Sequence, residues 1–331
     1  MNKWVLILLA LVLFPAFAQA QMFAPGNIIF ADPFYTPDGQ IVELKINEAA
    51  GTAEIINAVR WDLGGFERRR ALGLDVDPNG NVWIGITATG DTAAEFPLGL
   101  GEALRIERDG TQTFFQTDTI KITFLAAIGP NKVIVNSNAT DAALAQLVDV
   151  SSGSAVLTNF NKTSHGEALK LPDGRILMGD NGNSGILIYE ETGGGPVGKF
   201  YDDGRTIRSL TYSDEIGAIV ASLQNERTLL RIGMDGILQE EYDAAADDFT
   251  GLWGVAQIPG TTKVIVGSHN IAKVYNEMAI YNALNLAEPP TVIEITGGFE
   301  AAGLPADHVF RSFFNIAVVP EITDIPAWEL Y

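Results

Sequence analysis

Residues 72–86 read LGLDVDPNGNVWIGI, and two incompatible structures are written in them. Asp75, Asp77, Asn79 and Gly80 spell D-x-D-x-N-G, the opening of a calcium loop of the helix–loop–helix type. The same residues form two apolar, strand-like runs around a Pro-Asn-Gly turn, which is a hairpin signal. The twelfth loop position, where calcium needs a bidentate Glu, is Ile86, and the flanks alternate as strands do. The hairpin reading is therefore preferred, and repetition supports it.

Weakened copies recur along the chain: LAAIGPNKVIVNSN (125–138), EALKLPDGRILMGDN (167–181), SLTYSDEIGAIVASL (209–223) and GVAQIPGTTKVIVGSHN (254–270). Anchored on Pro78, Pro130, Pro172, Asp214 and Pro259, the copies are spaced by 52, 42, 42 and 45 residues. Each hairpin is followed by weaker strands, such as GILIYEE (185–191) and GPVGKFYDD (195–203). Four strands per repeat of this length describe a blade of an all-β propeller, and no long helix is called for. A sixth copy is split. NIAVVPE (315–321) supplies its first strand and turn, and GNIIFADP (26–33) its second. Pairing the two ends closes a six-bladed ring and leaves no open sheet edge. Innermost strands are expected to begin near residues 73, 125, 167, 209, 254 and 315.

The ends carry different signals. Lys3, the apolar run Trp4–Phe14 and Ala18-Gln19-Ala20 make residues 1–20 a signal peptide of bacterial type, implying a periplasmic or extracellular protein. Residues 21–321 form the propeller and 322–331 a tail. No later segment is apolar enough to span a bilayer. The chain has no Cys, which excludes disulfides, thiol catalysis and cysteine metal sites. Without the leader, 20 basic residues face 41 acidic ones, a net charge of −21. That surface repels nucleic acid and favours cations. The expected state is a monomer whose partner is a small molecule or a protein. NAT at Asn138 and NKT at Asn161 are glycosylation sequons, unused in a bacterial setting.

The hairpin copies resemble the SMP-30/gluconolactonase, NHL and streptogramin-lyase-like group of β-propellers over nearly the whole chain after the leader. For the lactonase branch the resemblance implies a divalent metal at the channel mouth, held by Glu, Asn and Asp side chains. For the lyase-like branch it implies a His base with Mg²⁺.

Chemistry in propellers gathers where loops converge at one channel mouth. Residues just before the innermost strands include Arg70, Phe124, His165, Glu167, Arg208, Trp253, Phe314 and Asn315. Those after the second strands include Asp32, Asn136, Asp180, Asn181, Asn225 and His269. Glu167 stands where the other copies have Gly73, Leu125, Ser209 and Gly254, so fold geometry alone does not demand it. Oxygen donors suit Ca²⁺ or Mg²⁺, making Glu167, Asp180, Asn181 and Asn315 the candidate metal ligands. His165 and His269 are candidate bases, and Arg70, Arg208, Asn225 and Trp253 candidate ligand contacts. Blander readings stand beside these. Asn and Asp suit loops because they form local turns. Glu167 could pair with Arg208, and Trp253 and Phe314 could plug the channel. Residues 88–102 read as an insertion and rim, and 276–290 as an irregular extension with a helical turn. The sequence thus predicts an exported binding propeller, with a metal-dependent lactonase as the alternative and a lyase-like enzyme behind it.

Overall fold

The computed structural model describes residues 22–32, 40–60, 69–88, 101–119, 122–137, 144–161, 166–180, 185–223, 226–244, 252–268, 277–310, 313 and 315–321, with the backbone alone at 69–71, 87, 88 and 144. The proposed leader and tail lie outside these residues, as do most of the 88–102 insertion and Asn138.

Chain order gives the strands directly. The first three are β1 (Ile28–Asp32), β2 (Gln40–Asn47) and β3 (Thr52–Arg60). A first full set follows as β4 (Arg69–Val76), β5 (Val82–Ala88), β6 (Glu102–Ile106) and β7 (Gln112–Gln116). The next is β8 (Ile122–Gly129), β9 (Lys132–Ser137), β10 (Leu144–Asp149) and β11 (Val156–Asn161). Then come β12 (Ala168–Lys170), β13 (Ile176–Gly179), β14 (Ile186–Tyr189) and β15 (Gly198–Tyr201). After these lie β16 (Ile207–Ser213), β17 (Ala218–Leu223), β18 (Thr228–Gly233) and β19 (Leu238–Asp243). The last are β20 (Leu252–Gln257), β21 (Lys263–Ser268), β22 (Glu277–Asn282), β23 (Thr291–Gly297) and β24 (Ile316–Val318). A 3-10 turn at Glu48–Ala50 is the sole helical element among the described residues.

These strands make a β-propeller. Four sheets contain four strands each, and a fifth runs β20-β21-β22-β23-β3-β2-β1-β24. The eight-stranded sheet is two four-stranded units joined edge to edge, because the outer strands β23 and β3 pair in parallel. One unit combines β24 with β1, β2 and β3, with Ile28 opposite Val318 and Phe30 opposite Ile316. The ends of the chain therefore close the ring as the split repeat predicts. Residues 277–282, expected to be irregular, are instead β22, a ladder partner of both β21 and β23. The run EMAIYN is short, but its neighbours supply the pairing that its own pattern does not announce.

Burial explains the strand compositions. The second strand β17, AIVASL, is buried at every position because flanking units cover both of its faces. The outer strand β19, LQEEYD, is exposed or half-exposed throughout and is correspondingly polar. Between neighbouring units lie separate apolar clusters. In one, Leu74, Ile84 and Leu104 pack on Ile29, Ile41 and Val59 of the closing unit. Each such side chain contributes about 1.5–3 kcal/mol when fully buried.

The opening stretch is a hairpin. Val76 pairs with Val82, and the turn carries Gly80 at φ +78°. Asp77, fully buried, accepts hydrogen bonds from the backbone N–H of Asn79 (2.9 Å) and Asn81 (3.0 Å). It also accepts from Asn81 Nδ2 and from Trp83 Nε1, both at 3.0 Å. Its oxygens are committed to the turn and to the tryptophan beneath it.

The six inner strands form a closed ring: β4 packs on β8, β8 on β12, β12 on β16, β16 on β20, β20 on β24, and β24 on β4. Adjacent inner strands belong to different units and share no continuous ladder, so side chains stitch them together. Asp75 Oδ2 accepts from Ala127 N at 2.7 Å, linking β4 to β8. Thr211 Oγ1 accepts from Gln257 N at 3.1 Å, linking β16 to β20. Close approach is obligatory here. A Cβ on Gly73 would lie 2.7 Å from Leu125 N.

Candidate functional site

The ring encloses a cavity of about 170 Å³ lined by all six inner strands, among them by Asp75, Ala127, Leu169, Thr211, Ala256 and Ala317. Strand alternation brings these side chains to one level, and Asp75 is the only ionisable group among them. Glu167 also lines the cavity, just before β12.

Glu167 is built into the ring. Its Oε2 accepts from Ser209 Oγ and from Leu210 N, the latter at 3.1 Å. Ser209 Oγ in turn accepts from Val255 N at 3.1 Å. One relay thus ties β20 to β16 and β16 to the start of β12. Backbone bonds reinforce it: Glu167 N donates to Arg208 O, and Gly179 N to Glu167 O, both at 3.0 Å. Burial pushes the Glu167 carboxyl up to about 8, opposed by the Ser209 and Leu210 hydrogen bonds and assisted by repulsion from Asp75. Burial likewise pushes Asp75 up to about 7, against the pull of the Ala127 and Val76 amides. Two neutral-leaning carboxyls therefore face one channel.

The Glu167–Arg208 ion pair, the alternative to metal ligation, does not form. Arg208 meets Glu167 through its backbone carbonyl, and its guanidinium goes elsewhere. Cζ of Arg208 sits 4.1 Å from the Trp253 ring centre and 4.7 Å from that of Phe124. Phe124 is on β8 and Trp253 on β20, three steps apart whichever way the ring is followed. A side chain held between them spans the channel axis. Arg208 is 2% exposed, its Nε has no acceptor, and burial alone pushes its basicity down to about 9 with no carboxylate offsetting it.

Backbone irregularities aim these side chains. Ladder register slips between Ile122 and Phe124, Ile207 and Ser209, and Leu252 and Val255. An extra residue in a strand re-aims its neighbours off the alternating pattern, and such bulges gather at sites. A fourth slip, between Ala71 and Gly73 of β4, lies at the same end, and these irregularities of the inner strands put Phe124, Arg208 and Trp253 together. Asn315 joins them from the residue before β24. Its Nδ2 donates to Leu72 O (2.5 Å) and Thr123 O (3.3 Å), while its buried Oδ1 has no donor. At the same rim, the buried Ser268 Oγ at the end of β21 is also unpartnered.

The remaining sequence candidates divide. Asp180 is buried at the end of β13, where its charge helps hold the Tyr189 hydroxyl up at about 12, behind burial. Arg70 lies in β4 opposite Thr87. His165, His269, Asn181, Asn225 and Phe314 lie outside the described residues. Asp32 is buried and bonded to Gln40 Nε2 and His308 Nε2, each at 3.1 Å. No group of three or more His, Asp or Glu suited to a metal ion occurs among the described residues. No described helix is long and apolar enough to cross a membrane.

Sequence reasoning missed Asp75 as a channel group, reading it as part of a turn. The signal was available, because Asp75, Ala127, Leu169, Thr211 and Ala256 each stand three residues before their turn anchor. It also missed Ser209, whose role as acceptor and donor between three strands leaves no mark in a one-dimensional pattern.

No family model matches the chain, and no curated protein is similar to it. Solved structures are similar in fold. A protein of unknown function from Bacteroides caccae aligns over 90% of this chain and all of its own, at 10% identity and a TM-score of 0.59. A chain of a nidogen/laminin complex aligns over 88% of this chain and 98% of its own, at 11% identity and a TM-score of 0.61. A candidate 6-phosphogluconolactonase from Bacteroides uniformis aligns over 77% and 78% of the two chains, at 14% identity and a TM-score of 0.53. At these identities the likeness is one of fold, and function has to be argued from the site.

Proposed function

We propose that this protein is a binding propeller that holds a small molecule at one mouth of its channel. One observation carries the reading: at this mouth the buried Arg208 Nε, Asn315 Oδ1 and Ser268 Oγ have no hydrogen-bond partner. Native folds pair their buried polar groups, because an unmade hydrogen bond in the interior costs about 1–3 kcal/mol. Orphans at one channel mouth are what a site awaiting a ligand's own donors and acceptors presents. Their burial favours a small molecule over a protein surface.

The metal-dependent lactonase reading is the weaker one. Glu167, which it needs as a ligand, has Oε2 engaged by two donors from β16, although Asn315 Oδ1, the atom that would ligate, is unpartnered. The fold likeness to a candidate lactonase is its main support. Thermal melts separate the two readings. The binding propeller is expected to melt at the same temperature with Ca²⁺, with Mg²⁺ or with chelator, and to show no turnover on a lactone panel. A panel of small polar and aromatic compounds should include some that raise the melting temperature, since a ligand of the folded state stabilises by mass action. A Ca²⁺-dependent rise lost in Glu167→Gln, together with lactone turnover, would overturn the binding reading in favour of the hydrolase.

A further inference from the structure

We propose that the ligand of this mouth carries a carboxylate, received in the plane of the Arg208 guanidinium between the rings of Phe124 and Trp253. The inference rests on the binding reading above and adds to it the chemical class of the ligand.

Three observations lead to it. The first is charge. The chain holds 41 acidic residues against 21 basic ones, so a carboxylate partner for a buried arginine was readily available to this sequence. None faces Arg208 among the described residues, and the one beside it in the ring, Glu167, is bonded to Ser209 and Leu210 instead. A buried guanidinium without a counter-charge is strongly disfavoured. With none among the described residues, an anion from solution is the counter-charge we infer.

The second is shape. Cζ of Arg208 lies 4.1 Å from the Trp253 ring centre and 4.7 Å from that of Phe124, so the guanidinium is held against two aromatic rings from different strands. In the proposed geometry the two rings take the faces of the guanidinium and leave the edge that carries the N–H donors. Arginine binds a carboxylate through that edge, two parallel hydrogen bonds lying in one plane. A carboxylate is flat and fits a slot one guanidinium thick. A tetrahedral phosphate carries oxygens above and below the plane, which run into the rings. A single negative charge also suits a strongly acidic protein better than a dianion.

The third is construction. Arg208 and Trp253 occupy bulges, and the register slip before Phe124 lies at the same level on the opposite strand. The same slip occurs at Leu72 of β4, so a bulge at this level is shared by four inner strands, and what distinguishes β16 is that its bulged residue is an arginine. Asn315 Oδ1, buried and without a donor, offers an acceptor for a hydroxyl or amide elsewhere on the same ligand.

The test is calorimetric titration and thermal melting of the purified chain with acetate, benzoate, succinate and inorganic phosphate, at constant ionic strength against chloride. Saturable binding of a carboxylate, tighter than that of phosphate, is expected. Arg208→Lys should weaken it at least tenfold, because the ammonium keeps the charge but loses the planar fork. Arg208→Met should abolish it. Should Arg208→Met fail to fold, Arg208→Lys and Trp253→Phe carry the test, both expected to weaken binding. Unchanged affinity in Arg208→Lys, or phosphate binding more tightly than every carboxylate, would overturn the proposal. If no carboxylate binds while neutral compounds from the wider panel still raise the melting temperature, the carboxylate assignment falls and the binding reading stands. If nothing in either panel binds, both fall.

Discussion

The turn at residues 77–81 and the channel mouth around Arg208 are similarly polar and similarly buried, yet they balance their hydrogen bonds in opposite ways. Asp77 has no exposure and accepts from four donors within its own hairpin. Arg208 is almost as buried and leaves Nε without an acceptor. Both positions tempt a functional reading from sequence, the first as a calcium loop and the second as a ligand contact. Accounting for each polar atom separates them. At the turn the side chain is used up in making the fold. At the mouth the fold holds, on a bulge, a side chain that has no counter-charge among the described residues.

The comparison is broken most severely at Asp77. Asp77→Ala should strand the Trp83 indole N–H and two turn amides in the interior, and about 3–4 kcal/mol of stability should be lost. Chemical denaturation would measure it. Asp77→Asn, which keeps an acceptor oxygen, should lose less. A loss below about 1 kcal/mol for the alanine variant would mean that the turn does not depend on this carboxylate, and the contrast with Arg208 would disappear.

Arg208→Met sharpens it from the other side, with a smaller effect of opposite sign. Replacing an unpaired buried cation with an apolar side chain of similar length removes a desolvation penalty and keeps contact with both rings. Without added ligand the variant should be more stable than the parent by about 1–2 kcal/mol in the same denaturation experiment. A clear loss of stability would show that the arginine is a structural strut.

Much of this contrast was legible before any coordinates. Turn anchors spaced by 42–52 residues imply the propeller, and the split sixth repeat implies β24 pairing with β1. Counting six residues back from the anchors gives Phe124, Arg208 and Trp253, the three side chains that meet on the axis. What could not be read was the partner of each. Alternation predicts which face a side chain takes, but a bulge shifts that phase, and its position depends on contacts between strands distant in sequence. Glu167 therefore looked available for Arg208 or for a metal, whereas the hydroxyl of Ser209 and the amide of Leu210 on the neighbouring strand take its oxygen. Strand β22 was misread for a related reason: its pairing comes from its neighbours and not from its own sequence.

The smallest expected effect concerns the two channel carboxyls, and its sign follows from the direction of their shifts. Glu167 is raised from 4.5 to about 8 and Asp75 from 3.8 to about 7, in each case chiefly by burial. Below about pH 4 both folded and unfolded chains hold these protons, and the shifts contribute nothing. As pH rises toward 8 the unfolded chain releases them first, so it is progressively favoured and the folded protein loses stability. Above about pH 8 both states are ionised and the penalty is constant. Denaturation midpoints should therefore fall between pH 5 and pH 8. Glu167→Gln should flatten that slope by about 1–2 kcal/mol across the interval, well under the full shift at ~1.4 kcal/mol per pH unit. The amide retains an oxygen to accept from Ser209 and Leu210 and has no proton to release. Because Asp75 raises Glu167 by repulsion, Asp75→Asn should lower the Glu167 midpoint as well as remove its own. The double variant should then flatten the slope by less than the two single variants added together. A flat profile in the parent, or strictly additive flattening, would show that the two carboxyls do not share the channel in their neutral forms. The turn would be unaffected by either result, and only the mouth would have to be redrawn.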